Sequence, residues 1–258
     1  MNHYKNLVNL LMTVARQYGT WEVFKDFIEM TAIAFSNSVD FSSMKDIRER
    51  QYMEIVKRYD KKHLDLFPKM ICELTMAMEV EPSDLLGRIY SELELANKWR
   101  GQFFTPDSIC KMMGQMILTD DMKSIIEEKG FITVQEPAIG GGALIINLAL
   151  AMKEEKINYQ QSMLVTGVDV DIKSIHMAYV QLSLLNIPAI LVHGISLSME
   201  VHSKWYTPAY VMGGWQFRKQ REKEIQGQVI EFITSKTEPV VKIEPVKIEK
   251  YEPISLFG

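Results

Sequence analysis

From Tyr4 to about Asn97, apolar residues recur three and four positions apart, as in Leu7, Leu10, Leu11 and Val14, then Val23, Phe24, Phe27, Ile28 and Ile33. That spacing places them on one face of successive helices, and no alternating, strand-like run interrupts it. Ser43 with Asp46 three residues on, and Pro82-Ser83-Asp84, read as helix starts, so four or five helices are expected in an N-terminal bundle. After Trp99 and Arg100 the rhythm changes. Short β-rich runs at 131–134, 163–166 and 189–192 alternate with helical patterns near 143–155 and 172–186, which predicts parallel strands joined by helical crossovers. A charged helix is expected from Gln216 to about Thr234. Beyond it, repeated proline and alternating charge predict an extended, largely disordered tail. The expected division is a helical domain over 1–98, an α/β domain over 99–234 and a tail over 235–258.

Composition narrows the class without fixing the chemistry. With 258 residues, 47% of them hydrophobic, the chain can bury a full core. Its net charge of -4 excludes a global positive field, so any nucleic-acid contact must rest on a local basic patch. Cys72 and Cys110 each fall inside an apolar helical pattern without a partner at metal-ligand spacing. Two buried free thiols in a reducing compartment and no metal site are the expectation. The N-terminus lacks a signal pattern and no apolar run approaches the ~18 residues of a membrane span, so a cytoplasmic protein without membrane contact is expected.

Candidate chemistry begins where a strand is expected to run into a helix. There Glu136-Pro137-Ala138-Ile139-Gly140-Gly141-Gly142 places three glycines, which let the backbone pass close under a ligand with unpaired amides facing it. A tight strand-to-helix connection with no ligand explains the same glycines equally well. Asp169, at the end of the next expected strand, adds a carboxylate suited to ribose hydroxyls. Asp171 reads instead as the cap of the helix that starts at Ile172. Upstream, Thr105 and Pro106 read as a helix cap and first-turn proline.

Taken together, Gly101-Gln-Phe-Phe-Thr-Pro106, the glycine segment 136–142 and Gly167-Val-Asp-Val-Asp171 resemble the modification subunits of type I restriction systems and related adenine-specific DNA methylases. The resemblance covers residues from about 1 to 200. It implies an α/β fold in which a helical N-terminal domain precedes a truncated Rossmann-like methyltransferase domain that binds S-adenosylmethionine (SAM). By the same resemblance, Thr105 contacts the amino-acid end of SAM. Glu136, Pro137, Ala138, Gly140 and Gly142 wrap that end, and Asp169 holds the ribose. DNA is the implied substrate, and a specificity subunit or self-association is the implied source of sequence recognition.

Two stretches depart from the family pattern. Where Gly-Asp-Ser/Thr-Leu is usual, this chain has Gly194-Ile195-Ser196-Leu197, with an aliphatic side chain in place of the carboxylate that contacts the SAM adenine. The nearest match to the catalytic Asn/Asp/Ser-Pro-Pro-Tyr/Phe is Thr207-Pro208-Ala209-Tyr210. In a catalytic reading the Thr207 hydroxyl accepts a hydrogen bond from a flipped adenine and Tyr210 stacks on it, with Pro208 shaping the turn. Otherwise the stretch is a turn before a buried tyrosine. Two functions therefore stand side by side: an N6-adenine DNA methyltransferase, and a catalytically degenerate binding module with the same fold. Few residues remain after Tyr210 for further strands, so an open sheet edge needing cover is expected.

Three other features complete the reading. Arg218, Lys219, Arg221 and Lys223 form the most basic cluster, but Glu222 and Glu224 interleave, as on a solvated helix face. Met112, Met113 and Met116 fall at helical spacing and read as core filler. At the C-terminus, Pro253-Ile254-Ser255-Leu256-Phe257 resembles the pentapeptide that replication and repair proteins insert into the sliding clamp, with Ile254, Leu256 and Phe257 as the apolar contacts.

Overall fold

The computed structural model describes residues 2–95 and 107–218. The chain divides into two compact units, Met1–Gln216 and Phe217–Gly258. Of the second, only Phe217 and Arg218 are described. The basic cluster beyond Arg218, the tail with Ile254, Leu256 and Phe257, and the 101–106 segment with Thr105 all lie outside the described residues.

Six helices come first: α1 (His3–Tyr18), α2 (Thr20–Val39), α3 (Met44–Val56), the single-turn α4 (Lys61–Leu64), α5 (Phe67–Val80) and α6 (Leu85–Leu95). Leu7, Leu11 and Val14 of α1 and Val23, Phe24, Phe27 and Ile28 of α2 are buried, as the three-and-four spacing requires. The start of α3 falls at Ser43 as expected, although Ser43 makes no capping bond. Its neighbour supplies one instead, with the Met44 amide donating to Ser42 Oγ at 3.2 Å. Asp84 caps α6, accepting from the Gly87 amide at 2.8 Å.

The remaining described elements are α7 (Asp107–Ile117), α8 (Asp120–Lys129), β1 (Ile132–Glu136), α9 (Ala143–Glu154), α10 (Tyr159–Ser162), β2 (Met163–Asp169), α11 (Ile172–Leu184), β3 (Ala189–Ile195), β4 (Glu200–Tyr206) and α12 (Pro208–Met212). Their strands form one mixed four-stranded sheet in the order β1-β2-β3-β4. The β1-β2 and β2-β3 pairs are parallel and bridged by helical crossovers. The β3-β4 pair is an antiparallel hairpin. Parallel strands cannot be joined by tight turns, so the glycine segment and the α9 and α11 starts all fall at the C-terminal ends of their strands.

One apolar core joins the helical region to the sheet, for it contains Leu11, Phe27 and Leu86 together with Ile145, Val165, Tyr179 and Leu191. Residues of opposite parity, Leu164 and Ile190, face the other side of the sheet, where Tyr210 and Trp215 cover them. α2 and α3 reach the β4 edge through Arg48. Its guanidinium pairs with Asp40, lies 4.5 Å from the Trp205 ring centroid and donates to the Lys204 carbonyl at 3.3 Å.

Two expectations are corrected by burial. Cys72 is exposed, and only Cys110 is buried. Met112, Met113 and Met116 are exposed rather than core filler, because α7 turns its small residues inward. Cys110 and Gly114 are buried on the face toward α9. A Cβ at Gly114 would lie 2.9 Å from the backbone of Asn147 and Leu148, so the two helices meet backbone to backbone. Among the described residues no helix is long and apolar enough to cross a membrane.

Candidate cofactor site

The end of β1 and the end of β2 meet through one carboxylate. Asp169 Oδ2 accepts from the Gly140 amide at 3.0 Å and Oδ1 accepts from the Asp171 amide at 2.8 Å. The glycine turn is thus tied across to the neighbouring strand. Burial raises the Asp169 carboxyl above the ordinary carboxylate value, with the Asp171 and Gly140 amides pulling the other way. A carboxylate has about four acceptor positions, so the group keeps capacity beyond these backbone amides and can still receive a hydroxyl donor.

The turn takes its shape from its glycines and from an anchor. Gly140 and Gly142 have φ of 54° and 93°, a region that strains residues with a Cβ. The Gly142 amide donates to the Ile139 carbonyl at 2.9 Å, and the Ile139 amide donates to the Val168 carbonyl at 2.9 Å. The Ile139 side chain lies over Gly167 of β2, where a Cβ would collide with it and approach Leu191 at 2.9 Å. Gly167, Ile139 and Asp169 therefore act as one device: a missing side chain admits the anchor and a carboxylate fastens the turn.

Gly142 is also the N-cap of α9 and provides no side-chain cap. The first amides of a helix have no intrahelical partner, so this end carries unpaired donors and partial positive charge suited to a carboxylate. Glu136 Oε1 accepts from the Ala138 amide at 3.1 Å, which folds the loop start. The Ser196 hydroxyl, beyond β3, donates to the Pro137 carbonyl and brings Gly194-Ile195-Ser196-Leu197 to the same end of the sheet. There Ile195 and Val170 are exposed apolar side chains at 37% and 64%. Glu136, Pro137, Ala138, Gly140, Gly142 and Asp169 are thus brought together. Asp171 caps α11 as its position predicts, accepting from the Lys173 amide at 3.0 Å.

The donor set fits SAM. Helix-end amides suit its carboxylate, a carboxylate suits its ribose, and exposed aliphatic groups suit its base.

Thr207, Pro208 and Tyr210 lie elsewhere. Thr207 donates its amide to the Ala189 carbonyl at 3.0 Å and accepts from the Ala189 amide at 2.9 Å, which places it beside the first residue of β3. Asp169 pairs with His193, four residues further along that strand, about 13 Å away at ~3.3 Å per residue. The Thr207 hydroxyl is fully buried and donates to the Ile187 carbonyl at 2.9 Å. Tyr210 is 8% exposed and packs with Leu164 and Trp215. Thr207 caps α12, with Pro208 as its first residue and Tyr210 within it, so the structure places these three residues at the end of the sheet opposite the glycine turn rather than beside it.

Sequence reasoning read Gly141 only as part of the glycine turn and Asp84 only as a helix start, and it missed Gln181, which joins them. Gln181 is fully buried, and its Nε2 donates to the Gly141 carbonyl and to Asp84 Oδ1, each at 2.8 Å. A long-range amide contact of this kind leaves no periodic trace. The one available signal was a polar residue on the apolar face of α11.

A family model described as N-6 DNA Methylase matches residues 81–237, more than half of the 258-residue chain. Comparisons with curated proteins and with solved structures each give no match. The matched span includes the glycine turn, Asp169 and every strand of the sheet, and on that extent the chain belongs to the N-6 DNA methylase family.

Proposed function

We propose that this chain binds SAM at the glycine turn and provides the methyl-donor half of a site acting on the exocyclic amino group of adenine in DNA. The observation that carries the reading is the bond from the Gly140 amide to Asp169. It draws a carboxylate, a positive-φ glycine turn and an uncapped helix start to the same end of the sheet. SAM supplies an electrophilic methyl group on a positively charged sulfur. In this reading the amides at the start of α9 hold the methionine carboxylate, with Thr105 as a further contact. Asp169 accepts from the ribose, and Val170 and Ile195 flank the adenine. With an aliphatic residue at 195, no carboxylate of that position reads the adenine amino group.

Because the Thr207 hydroxyl is bonded to backbone at the other end of the sheet, this reading assigns the target base to groups outside the described residues or from a partner. DNA and a specificity-conferring partner, or a second copy of the chain, are the partners this reading requires. Sliding-clamp binding through Ile254, Leu256 and Phe257 belongs to the proposal as a separate tether. A second reading, a catalytically silent SAM-binding module, is favoured by one observation: the Thr207 hydroxyl is consumed by backbone partners.

Transfer of a labelled methyl group from SAM to adenine-containing DNA separates the two. Label in N6-methyladenine that is lost in Asp169→Ala supports the enzyme, whereas SAM binding without transfer supports the silent module. Deletion of 254–258 tests the tether, which predicts lost co-elution with the clamp.

A further inference from the structure

A set of contacts that the proposed function leaves unused lies directly behind the glycine turn, where three chain segments converge on a carboxylate. Asp84 Oδ1 accepts from the Gly87 amide of α6 and from Gln181 Nε2, each at 2.8 Å. Gln181 also donates to the Gly141 carbonyl at 2.8 Å and accepts from the Leu86 amide at 3.0 Å, so its buried side-chain amide is fully paired. A Cβ on either Gly87 or Gly141 would overlap the Asp84 carboxylate. Gly141 differs from its neighbours here, because only Gly140 and Gly142 of the turn have φ in the left-handed region. Its lack of a side chain answers to Asp84, not to backbone conformation.

We propose that Asp84 and Gln181 are positioning residues of the cofactor turn, clamping the Gly141 peptide from behind so that α6 and α11 set the direction of the turn's amides. The proposal rests on the reading of that turn as the SAM site. Its physical basis is the cost of a buried, unpaired peptide group. If Gln181 no longer donates, the Gly141 carbonyl must reorient to find a partner, and the amides next to it rotate with it.

The test uses the full chain, calorimetric SAM titration and the amide NMR resonances of Gly140, Gly141 and Gly142 without ligand. Gln181→Met fills the same space without hydrogen bonds. It is expected to lower SAM affinity by at least ~10-fold and to shift the three glycine resonances while near-UV circular dichroism stays native. A cycle of Gly141→Ala, Asp84→Ala and the double variant keeps the proposal falsifiable if Gln181→Met does not fold. Gly141→Ala is expected to lose ~10-fold or more in affinity in the wild-type background and only a small factor once Asp84 is gone. Wild-type affinity with unmoved glycine resonances in Gln181→Met, or strictly additive losses in the cycle, would overturn the clamp. Were wild type itself not to bind SAM, the cofactor reading would fail. The ligand-free resonances would still decide the clamp: movement supports it and constancy refutes it.

Discussion

Thr207, which stands where the family's catalytic motif has its polar residue, is bonded on both sides to backbone. Its hydroxyl accepts from the Ala189 amide and donates to the Ile187 carbonyl, both in a dry environment. Thr207→Val keeps the shape and strands both groups, so a loss of about 2–3 kcal/mol of stability is expected in chemical denaturation, with SAM affinity unchanged. A catalytic threonine would show the reverse: intact stability and lost transfer. His176 makes a second prediction at this scale. Burial, reinforced by the nearby His193, pushes its imidazole down to about 3, so the folded protein holds it neutral. Between pH 6.5 and about 3 the unfolded chain binds a proton that the folded chain refuses. Stability therefore falls as pH drops through that window, with a slope approaching ~1.4 kcal/mol per pH unit from this group. His176→Phe should flatten that slope in denaturation curves taken across the window; an unchanged slope would show that other groups carry it.

At the scale of elements, legibility followed burial. β1 to β3, α9 and α11 were readable because core-facing positions carry Ile, Val and Leu at strand or helix spacing. β4 was not, since Trp205 is its only buried residue and Glu200-Val-His-Ser-Lys contributes no period-two apolar signal. Its place is fixed by tertiary contacts: Arg48 stacked on Trp205, and the hydrogen bond from the Tyr179 hydroxyl to the Tyr206 carbonyl. α7 misled for a related reason. Helical spacing of methionines identifies a helix but not its inner face, and here Cys110 and Gly114 form the contact with α9. Gly114→Leu is expected to push α7 away from the α9 backbone, costing about 1–3 kcal/mol and lowering the melting temperature. Because α7 follows Thr105 in the chain, SAM affinity should fall with it; retained stability and affinity would mean that the two helices separate without consequence.

For the whole molecule, the sequence located the residues that gather at the glycine turn and left the contacts behind them unseen. Glu136, Gly140, Gly142 and Asp169 were identifiable because loop chemistry at strand ends is local. Asp84 and Gln181 were not, since α6 and α11 are brought together only by the shared core. The position of Thr207 was illegible for the same reason: the antiparallel turn of β4 carries the chain back to the start of β3. For a chain of net charge -4, the DNA contacts that the proposed function requires must be local or supplied by another chain.

Calorimetric titration with SAM, on wild type and on Asp169→Ala, tests that claim most directly. The account predicts saturable binding by wild type and a loss of at least ~10-fold in Asp169→Ala, whose Gly140 and Asp171 amides lose their acceptor. No heat from the wild type, or equal affinity in the two proteins, would contradict it.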